Sequence, residues 1–139
     1  MDWSAFVGLP WKDRGRDEDG CDCYGLAILC YRAGLGVELP SYAANYAASD
    51  NPEDVDGLIS AQREPWTAIW AKGQERCGLV KARPFDLVLM IERPWHIGIV
   101  VKPGWMLHMP GEKTSVIEQY TTGRHFPRVE GIYRHESQI

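Results

Sequence analysis

The hydrophobic positions between residues 23 and 34 repeat with the spacing of an amphipathic helix. Apolar side chains recur at positions i, i+3, i+4 and i+7, namely Leu26, Leu29, Cys30 and Ala33. Asp22 stands in front of this run and is a typical N-cap residue, while Gly34 and Gly36 are typical of a helix end. The pattern predicts a helix over residues 23–34 with one apolar face.

The chain changes character after residue 79. Short runs rich in β-branched and aromatic residues are separated there by proline and glycine turns, which is typical of strands. These runs are Leu87–Ile91, Ile97–Val101, Trp105–Met109, Val116–Tyr120 and Ile132–Tyr133. Helices followed by strands predict an α+β domain with a mostly antiparallel sheet.

The remaining segments give weaker patterns. Trp3 to Val7 predicts a short helical turn, followed by a loop as far as Gly20. Residues 51–62 carry a proline near a helix start and apolar residues at helical spacing, and Trp66 to Ala71 is expected to add another turn or two of helix. No repeat, linker or low-complexity tract divides the chain, so residues 1–139 are expected to form one domain.

Composition narrows the class of protein. Hydrophobic residues make up 45% and charged residues 24% of the chain, as in ordinary globular proteins. A net charge of −4 without a basic cluster argues against a nucleic-acid partner. We expect no membrane span and no secretory signal, because no apolar run approaches the roughly 18 residues that a span requires. Without an export signal, the four cysteines are expected to be reduced thiols.

Cys23 is the strongest candidate for chemistry. It opens the predicted helix, whose positive end stabilises a thiolate and whose first N–H groups can point at an oxyanion. Gly25, two residues later, lets a backbone or a substrate come close. The alternative interpretation is a small buried hydrophobe, which is what most free cysteines are. The other three cysteines are weaker candidates. Cys21 lies in the loop before the helix, Cys30 lies on the buried helix face, and Cys77 lies in a charged irregular stretch.

Two histidines are candidates for the partner groups. His96 opens a β-branched run, and His108 follows twelve residues later, a separation that suits a hairpin with its turn near 102–104. A neutral His108 could then accept a hydrogen bond from His96 and fix its tautomer. Each could instead be a half-buried strand histidine. His125 and His135 lie in a charged region and are expected at the surface.

The competing interpretation is a zinc site built from Cys21, Cys23, His96 and His108. The Cys-x-Cys spacing is not that of a zinc knuckle, and no second paired motif exists. We therefore expect no metal and no cofactor.

Several segments together resemble the NlpC family of papain-like cell-wall cysteine peptidases. Gly8-Leu9-Pro10-Trp11 is similar to the family's Gly-x-Pro-Tyr segment, and Asp22-Cys23-Tyr24-Gly25-Leu26 to its Asp-Cys-Ser-Gly-Leu motif. The other matching pieces are Leu39-Pro40, Pro84-Phe85-Asp86-Leu87-Val88, His96-Ile97-Gly98-Ile99 and Met106-Leu107-His108-Met109.

The resemblance implies a papain-like fold in which a helix carrying the nucleophile packs on a mostly antiparallel sheet. It implies Cys23 as nucleophile, His96 as base and His108 as orienting residue. The substrate and oxyanion neighbourhood would comprise Trp11, Asp22, Tyr24 and Gly25. Tyr24 departs from the usual serine, and Trp11 replaces a tyrosine whose hydroxyl usually reaches the active site, so Trp11 offers only an indole N–H.

The resemblance also implies a substrate, peptidoglycan, which family members cleave between D-γ-glutamyl and diaminopimelate residues of the stem peptide. Residues 128–134 are similar to the ends of single-domain members from tailed phages and gene-transfer agents. This implies other tail-tip or baseplate proteins as partners and the virion as location. Residues 41–83 match no part of the family and are expected to be partly helical.

The sequence is also compatible with two other functions. The chain could be a structural tail-tip component with a silent or occluded site, its tryptophans Trp66, Trp70 and Trp95 forming a partner surface unless they are core residues. It could also be a muramoyl-alanine amidase or a transacylase on the same fold, because fold does not settle the bond that is cut.

Overall fold

A computed structural model describes residues 1–40, 66–91, 96–111 and 113–139 of the chain. Near the N-terminus, a 3-10 turn (Trp3–Phe6) leads to a small hairpin of β1 (Arg16–Asp17) and β2 (Gly20–Cys21), and then to the helix α1 (Cys23–Leu35). The later strands are β3 (Trp66–Ala71), β4 (Leu87–Met90), β5 (His96–Lys102), β6 (Trp105–His108), β7 (Val116–Gln119) and β8 (Val129–His135).

These six strands form one sheet in the order β3-β8-β4-β5-β6-β7, and every neighbouring pair is antiparallel. Short 3-10 turns lie at Arg76–Lys81, Phe126–Arg128 and Glu136–Gln138. The predicted α+β class is confirmed, with one α-helix in the described part of the chain against a mostly antiparallel sheet. None of the described helices is long and apolar enough to cross a membrane.

The helix α1 begins and ends as its sequence predicts. The Asp22 carboxylate accepts a hydrogen bond from the Gly25 N–H at 2.7 Å, as an N-cap should. Gly36 ends the helix in the left-handed conformation, at φ 66°. The prediction of a single apolar face was too narrow, because every residue from Cys23 to Tyr31 is buried.

The sheet is buried on both faces, so its strands divide the core into two layers. On the face that packs against α1 lie Leu87, Leu89, Ile97, Ile99 and Leu107. On the opposite face lie Val88, Met90, Val100, Met106 and Ile132. Successive side chains of a strand point to opposite faces, and this alternation assigns each residue of β4 and β5 to one layer.

The prediction of helix for Trp66 to Ala71 was wrong, because these residues form the edge strand β3. A bulge between Ala68 and Trp70 shifts the pairing with β8 and reverses the side-chain alternation. Trp66 therefore joins the layer under α1 and Trp70 the opposite layer. Both indoles are core residues, and their four-residue separation imitated a helical period.

The other predicted elements fare differently. The strand predictions at 87–91, 97–101, 105–109 and 116–120 are confirmed to within a residue or two at each end. The last predicted strand proved longer: β8 runs through residues 129–135 and lies between the edge strand β3 and β4. The helix predicted at 51–62 and the side chain of Trp95 lie outside the described residues.

The N-terminal segment is hydrogen-bonded to the residues that lead into β7. Gly8 N–H donates to the Ser115 carbonyl at 2.8 Å, Leu9 N–H donates to Ser115 Oγ at 2.9 Å, and Ser115 N–H donates back to the Leu9 carbonyl at 3.0 Å. Cys21 N–H in turn donates to the Pro10 carbonyl. We call the contacts between residues 8–11 and 113–115 the N-terminal clasp. It holds the loop that leads to α1 against the sheet.

Candidate active site

Cys23 is the first residue of α1, and its thiol is almost completely buried. Two backbone N–H groups, those of Ile97 and Tyr24, reach its sulfur and favour the thiolate. Burial nevertheless dominates, and together with the negative charge of Asp22 it raises the pKa of the Cys23 thiol to about 12. The helix terminus therefore does not offset the effect of burial, and Cys23 is a neutral thiol in the absence of substrate.

Asp22 organises the loop in front of the nucleophile. Its carboxylate is buried and accepts hydrogen bonds from the Gly25 N–H at 2.7 Å, from Arg16 Nη1 at 2.9 Å and from the Arg14 N–H at 3.2 Å. Arg14 has a positive φ of 58°, an uncommon conformation for a residue with a side chain. The same carboxylate thus caps α1 and fixes the strained loop that precedes it.

Gly25 and Tyr24 pack tightly beside the nucleophile. A Cβ on Gly25 would lie 2.1 Å from the Gly15 carbonyl oxygen, so the close backbone approach predicted at Gly25 is confirmed. The Tyr24 hydroxyl donates to the Pro40 carbonyl at 3.0 Å, and the ring is buried. Tyr24 therefore ties the start of α1 to the segment that follows the helix.

Trp11 lies next to the nucleophile loop through its backbone. Its N–H donates to the Lys113 carbonyl at 3.0 Å, and it forms an isolated parallel bridge with Cys21. The indole is partly buried against the layer under α1. The bridge places the Trp11 backbone against Cys21, two residues before Cys23 in the chain, while a role of Trp11 toward substrate stays a prediction.

The two candidate histidines are joined directly. The expected hairpin of β5 and β6 forms, with Gly98 opposite His108. His96 Nε2 and His108 Nδ1 lie 2.7 Å apart, and the ring planes are inclined at 73°. Both rings are buried. Gly98 leaves room for the Met106 side chain, since a Cβ at residue 98 would lie 2.6 Å from the Met106 sulfur and force that side chain to move.

Glu118 continues this contact and was missed by the sequence reasoning. His108 Nε2 lies 2.9 Å from Glu118 Oε1, and the Glu118 side chain is about one-third exposed. On β7, Val116 pairs with His108, so Glu118 lies two residues along the same face. The sequence signal was one acidic residue, Glu118, within the strand-like run 116–120. The sequence alone does not give the register of that strand, so it could not show that Glu118 faces His108.

The hydrogen bonds define one arrangement of protons. An ionised Glu118 accepts the proton of His108 Nε2, so His108 Nδ1 accepts from His96 Nε2. His96 Nδ1 is then left with a free electron pair. Burial lowers the pKa of His96 to about 3, so this ring is neutral. Burial also lowers the pKa of His108, although Glu118 opposes that effect.

The Cys23 thiol lies against the start of β5, the strand that carries His96. Between the described residues Cys23 and His96, the structure contains no sulfur–nitrogen hydrogen bond, and the closest link is the N–H of Ile97. Ile97 faces α1, whereas His96 shares its side of β5 with Gly98 and Val100. The Ile97 N–H, next in the chain to His96, is thus the contact that links the thiol to this end of β5. A hydrogen bond between a nucleophile and its base often tightens only when substrate is bound.

His125 and His135 correct the expectation of surface positions, since both are buried. The His135 ring packs edge-on against Trp66 and Tyr31. The His125 ring packs edge-on against His108, with centroids 5.1 Å apart. Arg124 next to His125 is largely exposed, whereas Arg134 next to His135 is buried in an ion pair with Asp86, so charge in the neighbouring sequence does not predict exposure of these rings.

The four candidate zinc ligands of the sequence, Cys21, Cys23, His96 and His108, do not form a common cluster of ligand atoms. Within the described ranges, the side chains that could share an ion are instead His108, Glu118 and His125, whose ligand atoms all lie within 4.8 Å of one another. A cavity of about 390 Å³ opens beside Glu118. It is lined by Pro110, Lys113, Thr114, Val116, Glu118 and Arg124. None of the four cysteines, all of which are described, forms a disulfide.

Comparison with known proteins gives a consistent picture. The family model described as NlpC/P60 matches residues 8–130. An NlpC/P60 family protein from Bacillus cereus ATCC 10987 superposes with a TM-score of 0.63 at 19% identity, over 95% of this chain and 37% of that one. The NlpC/p60 domain of the peptidoglycan hydrolase SagA superposes with a TM-score of 0.62 at 16% identity, over 94% and 91%.

A third structure extends the comparison. A protein similar to a lipoprotein, of the NLP/P60 family, from Staphylococcus aureus subsp. aureus Mu50 gives a TM-score of 0.60 at 17% identity, over 94% of this chain and 38% of that one. The chain thus spans less than two-fifths of two of these proteins and nearly all of the SagA domain. No curated protein matches the sequence.

Proposed function

Because the chain belongs to the NlpC/P60 family, we propose that it is a cysteine peptidase that hydrolyses peptidoglycan stem peptides, with Cys23 as nucleophile, His96 as base and His108 as orienting residue. The observation that carries this proposal is the continuous contact from Glu118 through His108 to His96, the residue before Ile97, whose N–H reaches the Cys23 sulfur. Two buried histidines hydrogen-bonded in a row to a carboxylate are not needed to stabilise a sheet whose core is otherwise apolar.

The proposed reaction starts from two neutral groups. His96 Nδ1 takes the Cys23 proton as the sulfur attacks the scissile carbonyl carbon, so the thiolate forms only during attack. The N–H groups of Ile97 and Tyr24 support the sulfur as it becomes negative. Glu118, acting through His108, stabilises the positive charge that develops on His96.

The second half of the reaction returns the site to its starting state. The carbon–nitrogen bond breaks, the leaving amine receives the proton from His96, and a thioester to Cys23 remains. Water attacks that thioester while His96 accepts its proton, and the sulfur leaves and is reprotonated. The products are an amine and a carboxylic acid, and no other reactant is required.

We propose the D-γ-glutamyl–diaminopimelate bond as the bond cleaved. Support comes from the resemblance of the nucleophile and histidine segments to cell-wall peptidases, and from the fold shared with the SagA domain, a peptidoglycan hydrolase. Two cations, Lys113 and Arg124, line the cavity beside Glu118, and stem peptides carry free carboxylates that such cations attract.

The test is digestion of diaminopimelate-containing peptidoglycan fragments by the purified chain, with products identified by mass spectrometry. Cleavage by the wild type and by Cys77→Ala, but not by Cys23→Ala, is expected, because Cys77 is exposed and far from this chemistry in sequence. The mass of the products identifies the amide and separates an endopeptidase from a muramoyl-alanine amidase. Turnover by Cys23→Ala would contradict the mechanism, and inactivity of all three would favour a structural role.

We also propose that the protein is carried to the wall in a phage tail or a similar particle. This rests on the resemblance of residues 128–134 to phage and gene-transfer-agent proteins. Part of that stretch is structural, because Arg134 forms a bidentate ion pair with the buried Asp86. Mass spectrometry of purified particles from a producing strain would detect the chain, and its absence from particles would contradict this location.

A further inference from the structure

Within the described part of the chain, the buried His125 imidazole makes no well-aligned hydrogen bond. Only 5% of the residue is exposed, and neither ring nitrogen has a hydrogen-bond partner among the described residues. Glu118 Oε2 lies 3.4 Å from His125 Nε2, close enough to attract it but not aligned as a hydrogen bond. Buried polar groups are almost always satisfied, so an unsatisfied ring aimed at a carboxylate calls for an explanation.

His108 and Glu118 place further possible metal-ligand atoms close to His125. His108 Nε2 lies 2.9 Å from the other oxygen of Glu118, and the His108 and His125 rings are 5.1 Å apart and nearly perpendicular. One ligand atom from each of the three residues lies within 4.8 Å of the other two. Ligand atoms around a zinc ion are about 3.4 Å apart when each bond is about 2.1 Å long, so a small inward movement brings them into range.

We propose that His108, Glu118 and His125 form a binding site for a divalent transition metal of the zinc class. Two imidazoles and one carboxylate are ligands that zinc prefers, and the fourth position would face the cavity beside Glu118. That cavity provides an entry path. The opposing charges are Arg124, whose Nη2 lies 3.5 Å from Glu118 and whose side chain is 70% exposed, and Lys113 on the cavity wall. Arg124 can move into solvent when the metal enters.

Metal at this site would switch the base off, an inference that rests on the proposed function. A metal on His108 Nε2 takes the place of a proton, and the neutral ring then carries its proton on Nδ1. Across the 2.7 Å contact His108 becomes the donor, so His96 Nε2 becomes the acceptor and His96 Nδ1 carries the proton. Each ring keeps one proton, but His96 no longer has an electron pair directed at the Cys23 thiol.

The test begins with binding, without any need for activity. Cobalt(II) is titrated into the full chain carrying Cys23→Ala and Cys77→Ser, which removes the candidate nucleophile and the exposed thiol. One cobalt per chain is expected, with visible absorption and no near-ultraviolet thiolate band. His125→Ala in this background should weaken binding at least 100-fold. The matched control is His135→Ala, because His135 is also buried but its Nδ1 is hydrogen-bonded to Ser137.

The outcomes separate the site from its effect. Equal binding by the His125→Ala variant, a thiolate band, or no binding at millimolar cobalt would overturn the metal site. If His125→Ala does not fold, Glu118→Gln replaces it, since Glu118 is partly exposed. In the activity assay, zinc should inhibit the wild type at a concentration at least tenfold lower than it inhibits His125→Ala. Binding without this difference would overturn the switch alone, and an inactive wild type would contradict the proposed function while the binding result stands.

Discussion

Replacement of Asp22 by asparagine should make the protein less stable and its nucleophile more reactive. The asparagine carbonyl can still cap α1 by accepting the Gly25 N–H, because asparagine is as good an N-cap as aspartate. The negative charge facing Arg16 is lost, and an amide nitrogen faces the N–H of Arg14. The same charge raises the pKa of the Cys23 thiol, so its loss lowers that pKa.

The magnitudes follow from these contacts. Hydrogen bonds to charged groups contribute about 1.5–3 kcal/mol, so Asp22→Asn should lower the free energy of unfolding by about 2 kcal/mol. Asp22→Ala also loses the cap, which adds about 1 kcal/mol. For a chain of this size each kcal/mol lowers Tm by roughly 3–4 °C, which gives about 7 °C for Asp22→Asn and about 10 °C for Asp22→Ala. Thiolate population rises tenfold for each unit by which the pKa falls.

The assay combines thermal unfolding with alkylation of Cys23 by iodoacetamide, measured by peptide mass mapping in a Cys77→Ser background. Destabilisation alone could expose the thiol, so Asp86→Asn serves as control. It breaks the buried Asp86–Arg134 ion pair without changing the charge next to Cys23. Faster alkylation in Asp22→Asn than in an equally destabilised Asp86→Asn is expected. Equal rates in the two variants, or an undiminished Tm for Asp22→Asn, would refute the reasoning.

Three other outcomes are expected. Gly25→Ala should unfold with a free energy lower by about 3 kcal/mol or more in urea titrations, because its Cβ would lie 2.1 Å from the Gly15 carbonyl oxygen; unchanged stability would contradict this packing. Burial raises the pKa of Cys21, Cys23 and Cys30 to about 12 in the folded protein. Between about pH 9 and 12 these thiols are therefore ionised in the unfolded chain and protonated in the folded one. Stability should then fall by about 4 kcal/mol per pH unit, and by about a third less in Cys30→Ala. Glu118→Gln should lower kcat roughly 10- to 100-fold with little change in KM, because the glutamine amide no longer holds His108 in one tautomer; a KM effect alone would indicate a role in substrate binding instead.

The elements that sequence reasoning placed correctly are those with local signals. Asp22 and Gly36 mark the ends of α1 chemically, and β-branched runs between prolines and glycines mark the strands. The β3 strand was missed because a bulge between Ala68 and Trp70 breaks the two-residue alternation on which strand prediction depends. A bulge is specified by the partner strand, which here lies more than 60 residues further along the chain.

In the candidate site too, contacts between neighbouring strands could be predicted from the sequence, and contacts between distant segments could not. The contact between His96 and His108 could be predicted, because a hairpin brings residues of two adjacent strands together. Glu118 and His125 could not be assigned, since their approach to His108 depends on the register of β7 and on the path of the chain before β8. The resting state of Cys23 also depends on burial, which outweighs the helix terminus and is a property of the whole fold.

The N-terminal clasp has a consequence for the order in which the protein folds. It joins Leu9 to Ser115, a separation of 106 residues, and closing so long a loop is entropically unfavourable until the sheet exists to receive it. The loop that carries Cys21 and leads to Cys23 is hydrogen-bonded to the clasped Pro10. Assembly of the nucleophile should therefore be the last event of refolding, with a sheet-containing intermediate in which Cys23 is still open to alkylation.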